Sequence, residues 1–266
     1  MFAPFMVNAW LSGSIVAVIA AAVGFLVVAR GATFAAHAIP NGAFAGAAGA
    51  AVLGWNPLVG LVPFALLSAG TIGLASRRSR PDVPTALTLV ALLALGATFL
   101  SLGSVYEPAI IALLFGEILG VSTGELLPLA VLGAASLAAL AYLHRPLWFA
   151  TASPELAAPR GVRVGALDAA FLGLVGVATA LTVPVVGALL AFSLMVGPPA
   201  AAQRLVATPG RALAAAVGLS LAVVWASIAG AYASNLPVGF FVGTLSAAVF
   251  VAASVAARVL TRSGAA

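Results

Sequence analysis

The chain alternates long apolar stretches with short polar or Pro/Gly-rich punctuation, and the stretches are of one size. Each runs close to the ~20 apolar residues that an α-helix needs to cross a bilayer. Divided at the punctuation, the sequence predicts about nine spanning helices, eight being the alternative count. They cover residues 7–29, 33–53, 58–76, 84–102, 126–143, 167–183, 185–202, 212–233 and 238–259. Unbroken runs such as 87–100 and 212–231 lack the short alternating segments of an outer-membrane barrel, so helices are the expected element throughout. The stretch 108–121 is apolar but short for a span and contains Glu117. It is expected as a re-entrant or interfacial helix. The fold class is therefore all-α, a polytopic membrane bundle forming a single domain over residues 1–266.

Composition agrees with this pattern. The chain is 64% hydrophobic and only 6% charged, with a mean hydropathy of +1.22, too little polar surface for a water-soluble domain of this length. The start of the chain has no basic segment before its first apolar run, so that run is expected to be kept as the first span rather than removed as a signal peptide.

Charge then sets the orientation. All eleven basic residues are arginines, and with the division above every one falls on the same side, which the positive-inside rule makes cytoplasmic. That side has a balance of +8 after Asp82, Glu155 and Asp168, while the other side holds Glu107, Glu117 and Glu125, together the chain's +5. A tenth span over 108–121 would send Arg145, Arg160 and Arg163 to the opposite side. The expectation is an inner-membrane protein with its amino terminus outside and its carboxyl terminus cytoplasmic. The arginines stand at helix ends and form no basic stripe, so nucleic acid is not an expected partner. Membrane lipid is.

Enzyme chemistry is sparse. There is no cysteine and no lysine, and neither GxxxxGK[ST] nor HExxH occurs. The chain is not expected to be an enzyme or to hold a cofactor of its own; if transport here is driven by ATP, another polypeptide hydrolyses it.

Polar residues inside spans are costly and so mark candidate sites. His37 lies about a turn inside the second span, ahead of Pro40-Asn41-Gly42, where a proline and a glycine are expected to break the helix and free carbonyls. His37 and Asn41 are candidates for a substrate pathway; a neutral histidine bonded to a neighbouring helix is the alternative. Glu117 either lines an outer vestibule or sits solvated in the interface. Gly197-Pro198-Pro199 predicts a kink in the seventh span, and Asn235-Leu236-Pro237 a tight turn. The spacings Gly42/Gly46, Gly116/Gly120 and Gly239/Gly243 allow close helix packing. The longest loop, 144–166, contains Ser153-Pro154-Glu155, a helix start with Ser153 as cap and Pro154 at the first position, ended by Gly161. It is either a docking helix or a plain connection.

Four stretches, in order, resemble the permeases of ABC importers for zinc and manganese. His37-Ala38-Ile39 with Gly42 resembles that family's S-H-A-x-L-P-G, and Phe115-Gly116-Glu117-Ile118-Leu119 its F-G-[DE]-I-L. Pro154-Glu155-Leu156-Ala157 with Gly161 resembles its D-P-E-x-A-x-x-x-G, and Gly187-Ala188-Leu189-Leu190 followed by Pro199-Ala200-Ala201 and Arg204 its G-x-L-L…P-A-A-x-A-R. The resemblance implies a homodimer, a cytoplasmic ATP-binding subunit and an extracytoplasmic solute-binding protein. It further implies that Pro154, Glu155, Leu156, Ala157 and Gly161 form the coupling helix and that His37 is the intramembrane residue that meets the metal. Position 33 is threonine where the family pattern has aspartate, which keeps open an ABC permease for a non-metal cargo. A secondary carrier is the third reading.

Overall fold

The structure is a computed structural model that describes residues 4–76, 82–102, 113–152 and 163–263, with side chains described from residue 6 to residue 259. The described residues form nine long helices: α1 (Pro4–Ala29), α2 (Thr33–Val52), α3 (Pro57–Ala75), α4 (Asp82–Leu102), α5 (Thr123–Ala152), α6 (Val164–Val186), α7 (Ala188–Leu205), α8 (Pro209–Ser234) and α9 (Val238–Ser263). A single 3-10 turn, Ile118–Gly120, precedes α5. Most helices begin and end within a few residues of the predicted spans, because hydropathy largely sets where a chain can leave lipid. Local chemistry fixes several ends. Asn56 caps α3 by accepting from the backbone N–H of Leu58 at 2.9 Å, with Pro57 at the first helical position. Asn235 closes α8 in the left-handed conformation at φ 57°.

Seven of the nine helices are long and apolar enough to cross a membrane. The two that fall short are α2, which holds His37, Pro40 and Asn41, and α7, which holds Gly197, Pro198, Pro199, Gln203 and Arg204. Packing accounts for their polarity. Helix α2 is enclosed by α3, α4, α6 and α7, and α7 by α1, α8 and α9. The lipid-like surface is supplied by others: only 17% of the α4 window is buried, against 72% for α1 and 67% for α6, which run through the core. Close crossings hold the centre. At the α2–α3 crossing a Cβ on Gly60 would stand 1.9 Å from the carbonyl oxygen of Gly46, so the two backbones touch and no larger residue fits at either position.

Two expectations are corrected. Helix α2 does not break at Pro40: it continues from Thr33 to Val52, and the Asn41 Nδ2 donates to the carbonyl of His37 at 2.8 Å, adding a bond in the turn that proline weakens. Helix α5 does not end near residue 143. It runs through Pro146 to Ala152, so residues 144–152 and 164–166 of the expected loop are helical, while 153–162 lie outside the described residues. Buried Leu147 and Ala150, and Trp148 stacked on Phe25 at 6.0 Å between ring centres, dock this extension on the core. The carbonyl stranded by Pro146 is that of Tyr142, an 85% exposed residue. Helix α7, where Gly197, Pro198 and Pro199 predicted a kink, is one continuous helix from Ala188 to Leu205.

Successive helices run back and forth between two faces. Contacts bring the ends of α1, α3, α5 and α7 to one face together with Arg30, Asp82, Asp168 and Gln203. The opposite face gathers the starts of α1, α3 and α5, the 3-10 turn and the end of α6, with Glu117 and Glu125. The C-terminal part of α4 packs beside the C-terminal part of α2, where Gly49 faces Phe99. Helix α4 therefore ends, and α5 begins, on the Glu117 face.

Candidate functional site

The predicted site residues lie at three places. His37 and Asn41 are one helical turn apart on α2 and share a face. His37 is half-buried and meets the ring of Phe192 on α7 edge-on, 4.9 Å between centroids. Asn41, a turn deeper, is 5% exposed. One N–H of its amide donates to the His37 carbonyl at 2.8 Å, which leaves the second N–H and the carbonyl oxygen for other partners. The α2 helix thus carries an imidazole and a carboxamide into a mainly apolar bundle interior whose other buried polar side chains are serines and threonines, Ser68 of α3 among them beside Gly42.

Glu117 is brought near neither of them. It is exposed on the opposite face, where its backbone N–H points at the carbonyl of Pro184 at 3.4 Å. A cleft of about 520 Å³ opens beside it, between α3 and α5 and floored by α6, with Glu117 and Glu125 as its charged residues. Glu125 is engaged in helix capping, accepting from the backbone N–H of Ser122 at 2.9 Å.

The backbone around Glu117 is set by glycine. Gly116 has φ 78° and Gly187, the single residue between α6 and α7, has φ 94° and ψ 153°. The two face each other: a Cβ on Gly187 would lie 2.3 Å from the Leu114 carbonyl oxygen, and one on Gly116 would lie 2.3 Å from the Val186 carbonyl carbon. Two of the motifs noted in the sequence, Phe115-Gly116-Glu117 and Gly187-Ala188-Leu189-Leu190, therefore meet in space. Sequence reasoning found each stretch and missed their contact, since glycines 71 positions apart carry no mark of adjacency.

The third group, Pro154, Glu155, Leu156, Ala157 and Gly161, lies outside the described residues, as do Arg77, Arg78, Arg80, Arg160 and Glu107. What the structure does describe are the helix ends on either side of that stretch. There Arg30 bonds to α5 and pairs with Asp168 of α6, a pairing missed when both residues were read only as charges that set topology. Beside them is a cavity of about 240 Å³ lined by Arg30, Phe34, Asp82, Asp168 and Phe171. Gln203 was missed too; its amide donates to the carbonyl of Phe25 at 2.8 Å, tying α7 to α1. Among the described residues no three His, Cys, Asp or Glu side chains converge to hold a metal ion.

Comparison with known proteins bears on this arrangement. The manganese import system permease protein ScaB of Streptococcus parasanguinis is 26% identical over 257 residues, covering 92% of this chain and 88% of that protein. The high-affinity zinc uptake system membrane protein ZnuB of Haemophilus influenzae is 27% identical over 215 residues, covering 80% and 82%. Among solved structures, PsaBC from Streptococcus pneumoniae in complex with Fab superposes with a TM-score of 0.85 at 22% identity, covering 95% of this chain and 91% of that one, and so shares the fold. The model of the ABC 3 transport family matches residues 2–257, and the chain belongs to that family.

Proposed function

We propose that this chain is the membrane-spanning permease subunit of an ABC importer, carrying a divalent metal ion of the zinc or manganese class across the cytoplasmic membrane by alternating access. The observation that carries the reading is the likeness, along nearly the whole chain, to a manganese import permease and a zinc uptake membrane protein. ATP is hydrolysed by a separate cytoplasmic subunit, a solute-binding protein delivers cargo at the Glu117 face, and two copies of the chain flank the route. All nine helices span, the chain between α4 and α5 re-enters the face it left, the amino terminus is outside and the arginine-rich face is cytoplasmic. That face carries Arg30 and Arg204 at helix ends, and the opposite face Glu117 and Glu125, the asymmetry the positive-inside rule requires.

In this reading the metal is cargo. His37 and the Asn41 carbonyl oxygen are successive contacts along α2, too few to trap an ion that prefers about four or more ligands, which suits a station from which the ion must leave. The segment with Pro154, Glu155, Leu156, Ala157 and Gly161 docks on the ATPase. Co-expression with the ATPase tests the docking: Glu155→Arg is expected to abolish co-purification and stimulated hydrolysis, and wild-type association would refute it. Uptake of radioactive manganese or zinc tests the cargo. His37→Ala is expected to lower uptake at least about tenfold, the loss of one good metal ligand, and unchanged kinetics would remove His37 from the route.

A further inference from the structure

Arg30 sits at the corner of three helices. It is the last residue before Gly31, whose φ of +66° turns the chain from α1 toward α2. Its guanidinium reaches sideways from that corner. Nη1 donates to the carbonyl oxygen of Leu147 at 3.3 Å and to the Oγ1 of Thr151 at 2.9 Å, both in the last turns of α5. Nη2 donates to Oδ1 of Asp168, in the second turn of α6. The cation also stands 5.0 Å from the centre of the Phe171 ring. Thr151 is held in turn by its own bond to the Leu147 carbonyl at 2.6 Å.

This is more than a topology signal requires. A positive-inside arginine needs only to remain in water or headgroups, whereas the Arg30 side chain is 14% exposed and spends its planar fork on three partners. Its position in the sequence gives the arrangement a direction. Thr151 and Asp168 flank residues 153–162, and Gly31 and Ala32 lead from Arg30 directly into the helix that carries His37 and Asn41.

We infer that Arg30 is the positioning residue that couples the ends of α5 and α6 to the α1–α2 corner, so that a displacement imposed on residues 153–162 reaches α2. The inference rests on the reading of that segment as the ATPase-docking element. Lysine cannot replace the fork, since one ammonium cannot serve the carboxylate, the hydroxyl and the carbonyl in the same geometry.

The test is the reconstituted complex with its ATPase in liposomes, with ATP hydrolysis and Mn²⁺ uptake measured together. Arg30→Gln is expected to leave co-purification and hydrolysis within about twofold of wild type while Mn²⁺ moved per ATP falls at least about tenfold, the size of losing one charge-assisted contact pair. Asp168→Asn, which leaves every arginine in place and so cannot act through topology, is expected to uncouple in the same direction. The exchange Arg30→Asp with Asp168→Arg is expected to recover part of the ratio. A wild-type ratio in Arg30→Gln overturns the inference. Should Arg30→Gln fail to fold, Asp168→Asn and Thr151→Val decide it, and wild-type ratios in both overturn it. Glu155→Arg in the same assay separates the two claims: retained association there defeats the docking reading, whereas a wild-type ratio in the Arg30 set defeats only the coupling role.

Discussion

Replacing Gly187 by alanine should be among the most damaging single-methyl changes in this chain. Two costs combine. The dihedrals of Gly187, φ 94° and ψ 153°, fall in a region essentially confined to glycine, where any other residue costs about 1–3 kcal/mol. The added Cβ would also stand 2.3, 2.4 and 2.5 Å from the Leu114 oxygen, the Phe115 carbonyl carbon and the Gly116 nitrogen. All three are backbone atoms, so relief requires moving a chain segment, and overpacking of this kind costs about 1–3 kcal/mol. Together they remove about 2–6 kcal/mol, a large share of the ~5–15 kcal/mol that holds a typical domain folded. The control lies on α6 itself: Gly173 is helical, and a methyl group added there would have nothing within 4 Å, so Gly173→Ala should gain about 0.5–1 kcal/mol from lower backbone entropy. Thermal unfolding of the purified proteins in one detergent, followed by the fluorescence of the four tryptophans, should show Gly187→Ala falling by about 5–20 °C while Gly173→Ala rises slightly. A Gly187→Ala protein that melts with wild type, or a Gly173→Ala protein that loses as much, would refute the argument that the Gly116–Gly187 contact sets this backbone.

Three smaller effects follow from side-chain bonds. Asn41→Leu removes the bond to the His37 carbonyl and should cost about 0.5–1.5 kcal/mol, seen as a lower melting temperature; an unchanged one would mean the bond adds nothing beside Pro40. Glu125→Ala removes the carboxylate that accepts from Ser122 and should cost about 1 kcal/mol, with faster amide exchange confined to the first turn of α5; exchange unchanged there would discount the capping box. Gln203→Leu leaves the Phe25 carbonyl without its second donor and should cost about 1 kcal/mol without altering the mass of the complex; equal stability in a denaturant titration would show that α7 and α1 are held by apolar packing alone.

Much of the fold was legible because membrane insertion is governed by summed hydropathy, which a single sequence contains. The start of α2 could be placed at Thr33, and the turn before α9 at Asn235-Leu236-Pro237. The end of α5 could not, because Pro146 reads as a stop and only tertiary contacts, Leu147 in the core and Trp148 on Phe25, carry the helix past it. Pro40 misled for a different reason, since the local bond from Asn41 to the His37 carbonyl supports the turn it weakens. Of the candidate site, the residue types were visible and their neighbours were not. His37 could be singled out as an ionisable group in an apolar run, but Phe192 as its partner is a long-range contact. Arg30 could be assigned a side of the membrane, yet its bond with Asp168 depends on how α1 and α6 rotate about their own axes.

The enclosure of α2 has a consequence for how the chain is made. A helix bearing His37, Pro40 and Asn41 is a poor lipid-facing segment on insertion scales, and its shelter arrives in instalments. Helices α3 and α4 emerge next and cover two sides, helped by the bare backbone at Gly46 and Gly60. Phe192, which covers His37, is about 155 residues away, so at about 5–20 residues per second the imidazole waits about 8–30 s for its final neighbour. During that interval α3 and α4 are in place and α6 and α7 are not, so the side of α2 that bears His37 lacks the helices that later enclose it.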